Sequence, residues 1–216
     1  RAQSGSTAGS TRAPLIALFR ERPLRLLLGI GVYAGPFMAQ AIVTTFLISY
    51  ATVSHGVPRQ VLLTGLIISL AGMVFTAPFF AWLSDRVGRR TIYVPGALLF
   101  GAFSFFVFPM VGSGSTVLVV LAFVISMTLL NASTVGVVGS LLSELFPTQF
   151  RYTGASIAYQ VAGVIGGGIG PLLASILAET SAGVLGISVM IALFCLISAI
   201  CTVVLGDTRK VDLARA

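Results

Sequence analysis

Residues 60–83 read QVLLTGLIISLAGMVFTAPFFAWL, a run without a single charged side chain. A run of about 20 predominantly apolar residues is the length of a helix that crosses the hydrocarbon core of a bilayer. Lipid offers no partner for backbone N–H and C=O groups, and a helix satisfies these groups internally. The run therefore predicts a transmembrane helix.

Five more apolar runs accompany this one, separated by short polar connections. Strands of an outer-membrane barrel would alternate polar and apolar residues, and segments such as 117–130 show no alternation. A hydrophobic fraction of 56% with only 9% charged residues leaves too little polar surface for a soluble domain. We predict an all-α, polytopic membrane protein whose six-helix bundle covers 26–205 between tails at 1–25 and 206–216. The predicted spans are 26–53, 60–83, 91–111, 115–146, 153–178 and 182–205.

The basic residues are concentrated in alternate connections between the predicted spans and in the two tails. Of the 13 Lys and Arg residues, all but Arg59 lie in the two tails and in the second and fourth connections. The positive-inside rule places this crowded side in the cytoplasm, so we predict a multi-pass protein of the plasma membrane with both termini cytoplasmic. The net charge of +7 is then a topology signal with some attraction to anionic membrane lipid. Nucleic-acid binding is disfavoured, because the arginines do not gather on one soluble surface.

The second connection holds the most specific local motif, AWLSDRVGRR at 81–90. Gly88 permits the tight reversal that a short helix-to-helix turn needs, and Asp85 can accept hydrogen bonds at a helix end or pair with arginine. The plain interpretation of this motif is a solvated, positively charged turn. A second string, ELFPTQFRYTG at 144–154, closes the fourth span and opens the fifth.

These strings resemble signatures of the major facilitator superfamily. The first is similar to its D-R-x-G-R-R motif, which follows the second helix of each six-helix half, although Ala81 stands where the family usually has glycine. The second string, together with the glycine-rich fifth span, resembles the metabolite:proton symporter branch, and the likeness extends from Pro14 onward. The resemblance implies that the chain is the carboxyl-terminal half of a twelve-helix transporter and that an amino-terminal six-helix half is its partner.

For function, the resemblance implies a secondary active transporter that moves a small polar metabolite, such as an organic acid or a betaine, by alternating access. The reaction is translocation, so we expect no enzyme chemistry and no cofactor, with the proton as the coupling ion. The resemblance also implies a cytoplasmic charge network that breaks and re-forms during transport. Its predicted members are Asp85, Arg86, Gly88, Arg89, Arg90, Glu144 and Arg151. The alternative is a static cluster of exposed ion pairs, each worth about 0 to 1 kcal/mol.

Polar and aromatic side chains inside the spans mark candidate substrate contacts. On the first span, four side chains share one face at helical spacing: Tyr33, Phe37, Gln40 and Thr44. The fourth span carries a similar stripe of Thr128, Asn131 and Thr134. The resemblance assigns both faces to the substrate cavity and makes Tyr159 and Gln160 on the fifth span further candidates. Hydrogen bonding between helices, worth about 0.6 kcal/mol per pair, is the alternative role for these residues.

The fifth span is rich in glycine, with Gly163, Gly166, Gly167 and Gly170 followed by Pro171. Glycines four residues apart favour close helix packing. Glycines beside a proline also allow the helix to bend during alternating access, and both interpretations stay open. A dinucleotide-binding fingerprint is excluded, because no strand precedes the glycines.

Acidic, basic and histidine side chains are absent from the interior of the predicted spans. Because such residues usually mark proton pathways, we expect the proton carrier to lie in sequence outside this chain. Cys195 and Cys201 occupy different faces of one span, so neither a disulfide nor a metal site is predicted. A non-transporting membrane scaffold, an inactive transporter fragment and a facilitative pore are the alternative functions.

Overall fold

The computed structural model describes residues 23–146, 148 and 151–205, and the regular structure in these residues is entirely helical. Six helices in this part of the chain are long and apolar enough to cross a membrane. They are α1 (Pro23–His55), α2 (Arg59–Val87), α3 (Arg89–Gly112), α4 (Thr116–Glu144), α5 (Arg151–Ala178) and α6 (Gly183–Val204). The predicted all-α class with six spanning helices is confirmed. The predicted tails lie outside the described residues, apart from residues 23–25.

Several helices extend beyond the ends of the predicted spans. α1 runs from Pro23 to His55, and α2 continues through Asp85 and Arg86 to Val87. A charged side chain ends an apolar run but does not end a helix, because arginine is itself a good helix former. Gly88 alone separates α2 from α3, with a φ of 107° that side chains rarely adopt. The reversal between these two helices therefore depends on one glycine.

The bundle is arranged around α1. We compare an 18-residue apolar stretch of each helix. In α1, 67% of the residues in this stretch are buried, against 17% in α2 and 22% in α5. α6 packs against α1 and α3, α5 packs against α1 and α4, and α2 packs mainly against α4. The helices that pack on α1, including α3, α5 and α6, therefore influence where the side chains of α1 lie.

The two ends of the bundle differ in charge. One end carries Arg25, the Gly88 turn, Glu144 and Arg151, and we call it the charged end. The opposite end carries His55 and Arg59. The core also divides by depth into two apolar clusters, one around Tyr93 toward the charged end and one around Phe123 toward the opposite end.

Three helices contain a π-helical segment, in which the turn is wider than in an α-helix. These segments are Ile42–Phe46 in α1, Val124–Asn131 in α4 and Val164–Ile169 in α5. Such segments are uncommon and occur often at functional sites. The segment in α5 coincides with the glycine run and ends immediately before Gly170 and Pro171.

Large apolar side chains cover the outer faces of α2 and α5. Phe75 is 78% exposed on α2, and Leu172 is 65% exposed on α5. In water a continuous apolar surface of this kind would promote aggregation, whereas in a bilayer it contacts hydrocarbon. The exposure agrees with a multi-pass membrane protein.

Candidate transport site and charged end

An aromatic cluster joins α1 to α5. Tyr33 and Phe37 lie one turn apart on α1, with ring centroids 5.2 Å apart and the rings nearly perpendicular. Tyr159 of α5 stacks on Tyr33 with centroids 5.0 Å apart, and it meets Phe37 edge to face at 6.0 Å. Tyr33 is only 1% exposed, whereas Tyr159 is 39% exposed. Tyr159 therefore presents the accessible face of this cluster.

Glycines of α5 create the space for this contact. A Cβ atom at Gly166 would lie 2.7 Å from the Met38 amide nitrogen, and one at Gly167 would lie 2.8 Å from Cε1 of the Phe37 ring. Both distances are shorter than real Cβ contacts, so only glycine lets α1 and α5 approach this closely. Gly163 also faces the Phe37 ring, and Gly170 faces Met38. The glycine spacing thus brings α5 against α1.

A groove of about 250 Å³ opens between α4 and α5 beside the aromatic cluster. Its lining consists of Gly139, Leu142, Ala155, Ser156, Tyr159 and Gln160. A Cβ at Gly139 would meet nothing within 4 Å, so this glycine leaves the groove open. Ser156 and Gln160 supply a hydroxyl and an amide, while Tyr159 supplies a ring and a phenol. The groove therefore presents both polar and apolar groups at the surface between α4 and α5.

The structure brings some predicted cavity residues together and separates others. Tyr33, Phe37 and Tyr159 touch, and Tyr159 and Gln160 line the groove. Gln40 and Thr44 are half-buried and lie farther along α1, toward the opposite end. The Thr44 hydroxyl donates to the Gln40 carbonyl of the same helix. The substrate role of these residues stays a prediction.

The predicted stripe on α4 is buried against its neighbours. Asn131 and Thr134 are fully buried, and the Thr134 hydroxyl donates to the Asn131 carbonyl. The Asn131 amide nitrogen faces the sulfur atoms of Met73 and Met127, each at 3.8 Å. Its Oδ1 has no hydrogen-bond partner within the described ranges. An unsatisfied amide oxygen in a membrane interior is costly, and polar groups at such depth often serve function.

Thr128 connects α4 to α2 through hydrogen bonds. Its hydroxyl donates to the Ser69 carbonyl at 2.8 Å, while the Thr76 hydroxyl donates to the Thr128 carbonyl at 2.5 Å. A Cβ at Gly72 would lie 2.7 Å from the Thr128 methyl group, so the helices touch here. Thr128 therefore takes part in hydrogen bonds between α2 and α4, and its substrate role stays a prediction.

At the charged end, Arg89 connects three helices. Its Nη2 lies 3.0 Å from Oε1 of Glu144 on α4 and 3.5 Å from Oδ1 of Asp85 on α2. The Arg89 side chain is 25% exposed and that of Glu144 is 36% exposed, so the pair is only partly shielded from water. Partly exposed ion pairs contribute about 0 to 1 kcal/mol. The link between α3 and α4 can therefore open at small energetic cost.

The other predicted charges take different positions. The Arg86 guanidinium lies over the Trp82 ring of its own helix, 4.0 Å from the centroid, in a cation–π contact. Arg90 is half-buried at the start of α3. Arg151 begins α5, and its buried Nε has no hydrogen-bond partner among residues 23–146, 148 and 151–205. The gating role of all these residues stays a prediction.

Some structural contacts were not predicted from the sequence. Arg25, interpreted only as a topology signal, donates to the Leu145 carbonyl at 3.4 Å and so connects α1 to the end of α4. Gly139 and Ser156 line the groove, but small residues are common throughout transmembrane helices. Their type and spacing therefore carried no signal that could have distinguished them.

Comparison with known proteins identifies the family. The sequence model of the Major Facilitator Superfamily matches residues 26–215. The chain belongs to the major facilitator superfamily. This superfamily membership agrees with the six spanning helices and with the motif at the Gly88 turn.

Three curated relatives of the chain are named as transporters or transport proteins. The shikimate transporter of Escherichia coli (strain K12) is 32% identical over 211 residues, which is 96% of this chain and 48% of that protein. The inner membrane metabolite transport protein YhjE of the same organism is 30% identical over 94% of this chain and 47% of its own length. The proline/betaine transporter of Salmonella typhimurium (strain LT2) is 30% identical over 67% of this chain and 28% of its own length. The chain thus spans about half the length of the first two relatives.

No solved structure matches the chain significantly.

Proposed function

We propose that this chain is the carboxyl-terminal half of a secondary active transporter for a small polar metabolite such as an organic acid or a betaine. The observation that carries the proposal is the groove between α4 and α5, lined by Ser156, Tyr159 and Gln160 beside the α1 aromatic cluster. The coverage of about half of the relatives supports an amino-terminal six-helix half as the partner. In this proposal the groove forms part of the substrate site, which the partner half completes.

Transport would proceed by alternating access, with two six-helix halves rocking about this site. The Arg89–Glu144 contact supports the predicted gate at the charged end, because a pair that is partly open to water can break and re-form cheaply. Asp85 also contacts Arg89, while Arg86, Gly88 and Arg90 lie at the turn between α2 and α3 and Arg151 begins α5. We place the charged end and both termini in the cytoplasm, as the distribution of arginine favours.

The groove lining supports a small polar substrate in this proposal. Within the described residues, acidic, basic and histidine side chains lie only at or near helix ends. The face of Tyr159 attracts cationic groups, and the hydroxyl of Ser156 and the amide of Gln160 can donate to a carboxylate or bind hydroxyl groups. A zwitterion such as a betaine or a hydroxylated organic acid fits these groups. The names of the relatives, which mention shikimate and proline/betaine, agree with both classes.

We further propose that the proton is the coupling ion. A proton relay requires an ionisable group at membrane depth. The carrier would therefore belong to the amino-terminal half. This chain would supply substrate contacts and one side of the gate.

Counterflow in proteoliposomes tests the proposal. The vesicles contain the chain alone or the chain joined to an amino-terminal half, and the probes are labelled shikimate, glycine betaine and proline. We expect saturable exchange with the joined halves and little exchange with the chain alone. Unsaturable flux would indicate a pore, and no flux from the joined, correctly folded protein would favour a scaffold or an inactive fragment.

A pair of tyrosine variants on α5 makes the test specific to the groove. Tyr159→Leu should raise the KM by about two- to tenfold, because it removes the exposed aromatic face. Tyr152→Leu is the matched control, since Tyr152 is 87% exposed two turns earlier on the same helix. Equal kinetics for the two variants would remove Tyr159 from the proposed substrate site.

A further inference from the structure

The ladder of backbone hydrogen bonds in α1 is interrupted at Pro36. Proline has no N–H group, so in an α-helix the carbonyl of Val32, one turn earlier, loses its usual donor. In a membrane there is no water to replace that donor. The Tyr93 hydroxyl, which comes from α3 and is fully buried, donates to the Val32 carbonyl at 2.5 Å. A side chain of a neighbouring helix thus replaces the missing backbone group.

A second hydroxyl supports the same turn from α6. Ser198 donates to the Gly31 carbonyl at 2.7 Å and accepts from the Gly35 amide at 3.0 Å. In a regular helix these two backbone groups bond to each other, so Ser198 bridges one step of the α1 ladder. Ser198 is fully buried.

Glycine allows this bridge to form. A Cβ at Gly35 would overlap the backbone of Phe194 on α6, and one at Gly31 would lie 2.6 Å from Sγ of Cys201. The α6 backbone therefore lies directly against α1, and a short serine side chain can reach the ladder. Tyr93 and Ser198 act on adjacent steps, at Val32–Pro36 and Gly31–Gly35.

The supported turn is also the one that carries the aromatic cluster. Tyr33 and Phe37 lie within or next to these two steps, and both rings contact Tyr159. A change in the backbone at Gly35 or Pro36 would alter the angle between the two side chains. The position of the cluster therefore depends on how this turn is held.

We propose that Tyr93 and Ser198 are positioning residues that complete the backbone hydrogen bonds of α1 at Pro36 and thereby hold Tyr33 and Phe37 against Tyr159. The backbone role stands on the geometry alone. The consequence for transport rests on the proposed function of the groove.

A double-mutant cycle between Pro36 and Tyr93 tests the backbone role. Tyr93→Phe leaves the Val32 carbonyl without a donor, so we expect the unfolding equilibrium constant in mixed micelles to rise about threefold to tenfold. In a Pro36→Ala background, the new amide at position 36 can donate to that carbonyl. The effect of Tyr93→Phe should then fall below about twofold. Equal effects in the two backgrounds would overturn the proposal, because they would show that Tyr93 acts by packing alone.

Serine variants test the role of the bridge in transport. Ser198→Ala should raise the KM about threefold or more with a smaller change in maximal rate, whereas Ser198→Thr, which keeps a hydroxyl, should restore the KM. The matched control is Ser104→Ala, because the buried hydrogen bonds that Ser104 and Ser188 exchange join α3 to α6 and do not involve α1. A loss of maximal rate with an unchanged KM in Ser198→Ala, or the same KM change in Ser104→Ala, would contradict positioning.

The two experiments fail in different ways. If no substrate is transported by any variant, the proposed function fails, while the unfolding cycle at Pro36 and Tyr93 still decides the backbone role. If transport is saturable but the cycle shows no coupling, the proposed function stands and the positioning inference is wrong.

Discussion

Replacing Gly166 with alanine should force α5 away from α1. The added Cβ would lie 2.7 Å from the Met38 amide nitrogen and 2.8 Å from the Ala34 carbonyl oxygen, whereas ordinary contact begins at 3.4 Å. Both neighbours are backbone atoms and cannot rotate away, so the helices must separate by about 0.7 Å in a close-packed interior. Overpacking of this kind destabilises a protein by about 1 to 3 kcal/mol. The separation would also disturb the Tyr33–Tyr159 stack.

Gly168 provides a matched control in the same glycine run. A Cβ at Gly168 meets nothing within 4 Å, so Gly168→Ala adds a methyl group to open space. Alanine favours a helix over glycine by about 1 kcal/mol, and this variant should be as stable as the parent or slightly more stable. The measurement is the free energy of unfolding in mixed micelles, followed by circular dichroism, together with substrate counterflow.

The comparison of the two variants can refute the argument. If both substitutions lowered the free energy of unfolding equally, general loss of glycine flexibility would be responsible, and the α1–α5 contact would not. If Gly166→Ala had no effect, α5 would not lie against the α1 backbone as described.

Three further predictions concern the charge network, the buried amide and the threading. A double-mutant cycle of Arg89 and Glu144 should give a coupling of about 0 to 1 kcal/mol, and a larger value would contradict a gate that opens cheaply. Asn131→Leu should raise the free energy of unfolding by about 1 to 3 kcal/mol, because it removes a buried oxygen without a partner in the described part of the chain; destabilisation would reveal that this oxygen is satisfied. Arg86→Cys and His55→Cys should react with impermeant maleimides from opposite sides of the membrane, and labelling from one side would refute the six-span threading.

The contacts of the candidate site were only partly predictable. Tyr33 and Phe37 were predicted to share a face, because helical periodicity alone places residues four apart together. The stacking of Tyr159 on Tyr33 depends on how far α5 slides along α1, and periodicity within one helix contains no such information. The spacing of Gly166 left close packing and helix bending both open, and it could not name α1 as the helix that Gly166 contacts.

Hydrogen bonds across helices were harder still to foresee. Tyr93 and Ser198 looked like ordinary members of apolar spans, and their relation to Pro36 exists only because α3 and α6 both pack on α1. The resemblance assigned Asn131 to the substrate cavity, and this role stays a prediction; the contacts of its amide with the sulfur atoms of Met73 and Met127 could not be read from the stripe on α4.

The order of the residues by itself determined that this chain crosses a membrane six times, because apolar length and backbone self-satisfaction are properties of each segment alone. It also determined the Gly88 turn, which depends only on neighbouring residues, and the concentration of arginine at one end, which follows from counting charges in each connection. Only the tertiary structure decided which helix lies at the centre, where the groove opens and which hydroxyls support α1. These features depend on contacts between segments far apart in the chain. In lipid, helices associate through close packing and interhelical hydrogen bonds, and apolarity alone does not decide which helices pair.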